Sequence, residues 1–336
     1  DVLVLVSSNG AGKSMRWQHT LIGNQLDSDL SFEGFGFDLG DEFALAWTAQ
    51  GVTNEKGLEW ERQHSSIYYK EDDRGRNYLS DGRADEFEAE TSLEWIAFKQ
   101  NFFSAVVSTP EGFLAGSKLT TTVPEEDSTV TMQYAALLPF EATELGDQSG
   151  ATLNFYFGPN EQDALVATGW SEVDRIIDYG WWIFGWVNRN AILPLYQLLS
   201  QYFVSAGIII LIITLIIKLA LSPITWKNFM SSAKMRVLRP EIDALTEKHG
   251  DDAMGKQQAT MALYRQTGVN PLAGCLPGLL QMPILYAMFR FFPANIDMRG
   301  QSFLWADDLG AFDSILDLPF SIPFYGAHVS GFTILM

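Results

Sequence analysis

The sequence predicts a multi-domain protein, a large antiparallel β-sandwich followed by an α-helical membrane domain that includes a cytosolic helical hairpin. Three observations carry this reading. Residues 25–180 set aromatic and β-branched residues between Gly and Asp turns, the composition of strands on a half-buried sheet. Val204 to Pro223 is an apolar run of about the 20 residues that cross a bilayer. Charge also divides along the 336 residues, whose net charge is −19. Residues 1–226 hold 13 Lys and Arg against 31 Asp and Glu, residues 227–270 hold 7 against 5, and residues 271–336 hold 2 against 5. A short basic segment between two apolar ones is the positive-inside pattern, which puts 227–270 in the cytosol and the acidic N-terminal half outside. That acidity argues against a specific nucleic-acid partner for the large domain.

The first domain is expected over 1–178. Asp1 to Ser7 alternates Val and Leu as a buried strand does. Ser7-Ser-Asn-Gly-Ala-Gly-Lys-Ser14 imitates a phosphate-binding loop, but Ser7 stands where that loop needs Gly, and Met15 to Asn24 shows no helical face. We read it as a Gly-rich turn between two strands. Residues 86–95, 117–123, 128–140 and 151–158 are further strand candidates, and a helical pattern enters only at Glu161 to Trp170. Strands separated by turns over this length predict an antiparallel sandwich. His19, His64 and the carboxylates form no metal or acid–base spacing, so no catalytic group, metal or cofactor is expected and the carboxylates read as solvated strand faces. The single cysteine, Cys275, excludes an internal disulfide and reads as a small packing residue.

Residues 179–203 read as an interfacial amphipathic helix. Trp181, Trp182 and Trp186 suit a membrane surface, Pro194 suits a first helical turn, and Ile192, Leu195, Tyr196, Leu199, Tyr202 and Phe203 recur at helical spacing. The alternative is a core helix of the β domain. Residues 204–225 form the first span. It carries Lys218, a charge that costs on the order of 3 kcal/mol at depth. Thr214, Lys218 and Ser222 are four apart, and Gly207 and Thr225 fall on the same helical face. Either Lys218 snorkels to the headgroups or it stands unpaired in a water-accessible groove; the wider polar stripe favours the groove.

Residues 226–269 are expected to fold as the hairpin. Met235, Leu238, Ile242 and Leu245 make one apolar stripe, Pro240 is expected to kink or break the helix, and Gly250-Asp251-Asp252 is a turn. Met254, Met261 and Tyr264 mark a second helix ending near Gly268. Methionines at 230, 235, 254 and 261 suit either a flexible surface for varied apolar partners or ordinary hairpin packing, the latter being the better account. Residues 270–293 read as a second span with Pro271, Pro277 and Pro283 inside it. Its strongly polar side chain, Gln281, faces the Lys218 groove or makes an interhelical hydrogen bond. Residues 294–325 read as an outer loop with Phe303, Trp305 and Phe324 at the interface, and 326–336 as the start of a further, truncated span. A chain beginning at Asp1 without methionine and stopping in an apolar run is expected to be part of a longer protein.

Ser232-Ala-Lys-Met-Arg-Val-Leu-Arg-Pro240, Gly250-Asp-Asp252, Met261-Ala-Leu-Tyr264, Val269-Asn-Pro-Leu-Ala-Gly-Cys-Leu-Pro277 and Gln281-Met-Pro283 resemble the YidC family of membrane-protein insertases. Trp95-Ile-Ala-Phe-Lys-Gln-Asn-Phe-Phe103, Phe157-Gly-Pro159 and Asp178-Tyr-Gly-Trp181 resemble its bacterial periplasmic domain, and Ser302-Phe-Leu-Trp-Ala-Asp-Asp-Leu309 its outer loop. The resemblance implies a periplasmic β-sandwich, an interfacial helix, a cytosolic hairpin that includes Met235, Arg236, Arg239, Asp251 and Asp252, and a multi-pass core in the bacterial inner membrane. It implies that Lys218 occupies the position of the family's groove cation, usually arginine, with Thr214, Ser222 and Gln281 beside it. Lysine keeps the charge and loses the planar fork of donors. The implied activity is non-covalent: inserting nascent membrane proteins from the ribosome into the lipid bilayer, alone or with the Sec translocon. Two rival classes stand beside it, a transporter or channel using the intramembrane lysine, and a membrane-anchored β-domain scaffold.

Overall fold

A computed structural model of the chain describes residues 1–336 except 10–11, 36–41, 125, 146–147, 251, 269–275, 323–325 and 336. It divides into two compact units, Asp1–Asp178 with Pro293–Met336, and Tyr179–Phe292.

The first unit is built on strands β1 (Val2–Ser8), β2 (Ser14–Ile22), β3 (Gln25–Glu33), β4 (Glu42–Val52), β5 (Ser66–Glu71), β6 (Gly75–Tyr78), β7 (Asp85–Glu88), β8 (Leu93–Lys99), β9 (Phe103–Phe113), β10 (Lys118–Thr122), β11 (Val130–Glu141), β12 (Thr143–Leu145) and β13 (Gln148–Pro159). One sheet runs β1-β2-β3-β13-β9-β8-β5-β6 with β12 on β13, and a second runs β4-β11-β10-β7. The pairings within both are antiparallel. Alternation decides the faces. On β4, Phe43, Leu45, Trp47 and Ala49 point inward while Ala44, Ala46, Thr48 and Gln50 are exposed. Trp47 stacks on Phe98 of the larger sheet with centroids 4.0 Å apart, and Phe98 stacks on Tyr134 of the smaller. The two inner faces therefore share one core, a sandwich as expected.

β5 and β8 are buried on both faces because a third layer covers the larger sheet. This layer is the segment after β13, with Leu165, Val173 and Ile176 fully buried. It is pinned where Trp95 Nε1 donates to Ser171 O at 2.8 Å and Arg76 N donates to a Glu172 carboxylate oxygen. β1 and β2 pair antiparallel, with Asn9 N donating to Lys13 O just beyond the last paired residues, and Met15 to Ile22 is strand rather than helix. The phosphate-loop alternative fails on that ground.

Part of the segment read as an outer loop also belongs to this unit. Arg299 Nε donates to Glu55 at 2.8 Å, and its guanidinium lies 5.6 Å from the Phe103 ring centroid. Glu61, buried beneath this contact, accepts from the backbone N–H of Asn54 and Glu55. Two expectations are corrected here. Leu316–Ile322 and Gly326–Val329 pair as a two-stranded ribbon, β14 and β15, so 326–329 is strand and a helix begins only at Gly331. Residues 86–95 are not one strand but the ends of β7 and β8, separated by Ala89 to Ser92.

The second unit is helical: α3 (Trp182–Val187), a π-turn over Asn188–Ile192, α4 (Leu193–Ser200), α5 (Ala206–His249), α6 (Ala253–Thr267) and most of α7 (Leu276–Ala294). The short α1 (Leu58–Arg62), α2 (Gln162–Val166) and α8 (Gly331–Leu335) lie in the first unit. α5 continues through Pro223, and through Pro240 as well, so the helix does not break there. Among the described residues α5 is the one helix long and apolar enough to cross a membrane. The second expected span, 270–293, falls in part outside the described residues.

Candidate functional site

The amphipathic segment packs on α7 within the second unit. Fully buried Phe291 stacks on Tyr179 and meets Tyr196 edge-on, while Phe184 lies against Tyr286 at 4.5 Å. Gly180 and Gly185 allow the entry turn to close: a Cβ on Gly185 would lie 2.2 Å from Gly180 O. Asn188, fully buried at the π-turn, donates through Nδ2 to Tyr179 O and to Ala287 O, both at 2.7 Å. This polar latch was not singled out in the sequence. Its signal was an Asn within an otherwise apolar face. The opposite face presents Trp181, Trp182, Trp186, Tyr202 and Val204, all more than 60 % exposed, a row of the residue types found at membrane interfaces.

On α5 Ala206, Ile209 and Ile213 are buried, while Leu211, Leu215, Leu219, Ile224, Trp226 and Phe229 are exposed. Thr214 is half-buried, and Lys218 and Ser222 are exposed on the same face. Pro223 has no N–H, so Leu219 O loses its helical donor, and the Ser222 hydroxyl donates to it at 2.8 Å. Thr225 likewise donates to Leu221 O and Ser222 O. The hydroxyl protons of Ser222 and Thr225 are thus spent inside the helix, leaving their oxygens as acceptors beside one free cation head. Residues 179–240 contain no Asp or Glu, and the first acid along α5 is Glu241. At about 1.5 Å per residue that is roughly 35 Å from Lys218. Among the described residues Lys218 has no ion-pair partner.

Gln281 is exposed on α7, and no hydrogen bond among the described residues joins it to Lys218. Met235 is half-buried; Arg236 and Arg239 are exposed. Asp252 caps α6, its carboxylate accepting from Gly255 N at 2.9 Å, and Gly268 ends that helix with φ +64°. Asp251 and Cys275 lie outside the described residues.

Residues 43–189 match the family model described as YidC periplasmic domain, and residues 198–336 match the one described as 60Kd inner membrane protein. A protein named membrane protein insertase YidC from Parabacteroides distasonis is 39 % identical over 87 % of this chain and 48 % of its own length. Its namesake from Amoebophilus asiaticus is 43 % identical over 74 % of this chain and 41 % of its own, and that from Cytophaga hutchinsonii 39 % over 100 % and 56 %. The chain thus spans about half the length of the curated relatives it matches. A galactose mutarotase related enzyme from Lactobacillus acidophilus aligns over 47 % of this chain and 67 % of its own at 9 % identity and a TM-score of 0.26, too low to carry an argument. With a periplasmic-domain match on the sandwich and an inner-membrane match on the helices, at 38–43 % identity to proteins of one name, the chain belongs to the YidC family.

Proposed function

We propose that this chain is part of a bacterial inner-membrane insertase that receives nascent membrane proteins from the ribosome and releases them into lipid, alone or with the Sec translocon. The observation that carries the reading is Lys218: a cation without a partner among the described residues, on the one polar face of an otherwise lipid-like helix, in a segment free of acids. An uncompensated charge at that depth costs on the order of 3 kcal/mol. Attraction of an acidic or polar flank of a client segment offsets that cost while the client passes. The apolar part of the client then partitions into lipid, driven by about 0.8 kcal/mol per buried CH₂. Thr214, Ser222 and Gln281 supply acceptors that keep the groove wet. The sandwich lies in the periplasm, the tryptophan row of α3 on the outer membrane surface, and the second half of α5 with α6 forms the cytosolic hairpin that meets the client first. α5 is about 66 Å long, roughly twice the hydrocarbon core, so one rod serves as span and hairpin arm.

The test is a photo-crosslinker at Thr214 in the full-length protein in membranes, one turn from Lys218, with ribosomes stalled on a short membrane protein. The expected result is an adduct confined to chain lengths that expose the apolar segment. No adduct at any length, with the protein folded and inserted, overturns the groove.

A further inference from the structure

The periplasmic-type sandwich carries a second feature, independent of Lys218 and of the insertase reading. β8 and β9 pair in step from Lys99 opposite Ser104 to Trp95 opposite Ser108, and then the register jumps to Leu93 opposite Phe113. Residues 109–112 therefore stand opposite Glu94 alone, and the extra backbone loops out of the sheet. Gly112 makes the bend at φ +78°, with a Cβ there only 3.0 Å from Leu93 O. The loop overhangs a cleft of about 370 Å³, within the ~300–1,000 Å³ typical of small-ligand sites. The far wall is Gly169 to Ser171, which brings the half-buried Trp170 ring to the cleft. Trp95 holds that wall through its bond to Ser171 O.

The lining is charged, and its charges do not cancel. Asp72, Glu94 and Glu111 all reach the cleft. Lys70 pairs with Glu94. Asp72 accepts only the Ser92 hydroxyl, and no cation among the described residues pairs with Asp72 or Glu111. Thr109, 4 % exposed and part of the lining, has no hydrogen-bond partner for its hydroxyl among the described residues. That oxygen is not sealed from solvent, so it is open to a donor in the cleft. Two exposed carboxylates without a cation partner, a hydroxyl open to the cleft and an indole fit one class of ligand. A neutral sugar leaves both charges standing, an anion is repelled, and the described residues hold no metal-capable cluster of three. An organic cation satisfies all of them: carboxylates accept its N–H groups, Thr109 Oγ1 accepts another, and the Trp170 face attracts the charge. We infer that this cleft binds an alkylammonium or guanidinium group. The 31 acids against 13 bases of residues 1–226 add a long-range field that draws cations to this domain.

Such a group comes from a Lys or Arg side chain of an extended polypeptide or from a free polyamine. The experiment uses the full chain in detergent micelles, with a fluorescent Gly-Ser peptide carrying one lysine, the same peptide with glutamine, and spermidine as competitor. The lysine peptide is expected to bind and the glutamine peptide to bind at least tenfold more weakly. Asp72→Asn with Glu111→Gln is expected to lower affinity at least tenfold, and Thr109→Val two- to fivefold. Glu86→Gln with Glu141→Gln removes the same charge from exposed positions on the other sheet and is expected to change nothing. A pulse-proteolysis midpoint confirms that each variant is folded. Tighter binding of peptide than of spermidine assigns the site to polypeptide, and the reverse to polyamines. Equal binding of both peptides, or equal loss in the two double variants, overturns the site and leaves only the diffuse field.

Discussion

Lys99 ends β8 with 4 % of its surface exposed, its Nζ donating to His64 O at 2.8 Å and lying 5.6 Å from the Tyr68 ring centroid. Burial is the largest influence on it and pushes its ammonium down to about 8, against the opposing pull of Asp81 and Asp178 and with a smaller push from Arg76. In the unfolded chain the same group titrates near 10.4. Below about pH 8 both states are protonated and the folded state bears the full desolvation cost. As pH rises past 8 the native state sheds the proton while the unfolded state keeps it, so the unfolded state binds more protons and stability increases with pH. At about 1.4 kcal/mol per unit, the 1.5 units between pH 8 and 9.5 are worth about 2 kcal/mol. Lys99→Met keeps the aliphatic stem and removes the titration. The stability of the unsubstituted protein relative to Lys99→Met is therefore expected to rise by about 2 kcal/mol from pH 7 to 9.5. Urea pulse proteolysis of the full chain reads this from the shift in midpoint of the sandwich. The buried tyrosines Tyr69 and Tyr156 are pushed up to about 12 by burial, above the window, and are common to both proteins. A difference that stays flat across the window refutes the assignment of Lys99 as a buried cation.

Other perturbations follow from the latch and the caps. Asn188→Ala removes two 2.7 Å hydrogen bonds from a fully buried site. A loss of about 2 kcal/mol of local stability is expected, seen as roughly 30-fold faster trypsin cleavage after Arg189 in micelles. Gly185→Ala drives a Cβ to 2.2 Å from a backbone oxygen and is expected to cost about 1–3 kcal/mol or more by the same readout. Asp313 accepts from Trp305 Nε1 and Phe332 N and from the Ser330 hydroxyl. Burial raises its carboxyl, but the bonds from Ser330, Trp305 and the backbone of Phe332 and Gly331 together hold it below the usual carboxylate range. Its contribution is present above the unfolded pKa and lost as pH falls through the lower folded value, so amide protection over 330–334 is expected to fall in acid. In Asp313→Asn that protection is expected to be weak at every pH; equal protection in both proteins at pH 7 contradicts the cap.

Much of the sandwich was legible because its signal is local. Phe43, Leu45 and Trp47 alternate, and the structure turns all three inward. Asp252 and Gly268 bracket α6 as cap chemistry predicts. The third layer was not legible. Nothing in Trp95 announces that its indole will reach Ser171, 76 residues away, and only such contacts explain why β8 is buried on both faces. The β8–β9 register jump was hidden for a related reason. A bulge changes which residues face each other without changing the composition of either strand. Asn188 escaped because its acceptors are backbone carbonyls, one of them 99 residues away, and backbone carries no sequence signal.

Pro223 and Pro240 show where a sound local rule yields to its surroundings. A proline inside a helix costs on the order of 3 kcal/mol, through a missing donor and a crowded carbonyl. At Pro223 the Ser222 hydroxyl occupies the orphaned Leu219 oxygen, so the residue read as wetting the groove also keeps the helix whole. At Pro240 the preceding Arg236 and Arg239 are exposed, and water can reach the carbonyl that loses its partner. Met235, Leu238 and Ile242 bury apolar surface along the same helix, which runs unbroken to His249. The polar stripe at Thr214, Lys218, Ser222 and Thr225 thus has two physical roles. The Ser222 hydroxyl proton occupies the carbonyl that the proline orphans, and Lys218, which repairs nothing, is the member of the stripe whose charge has no other use within the helix.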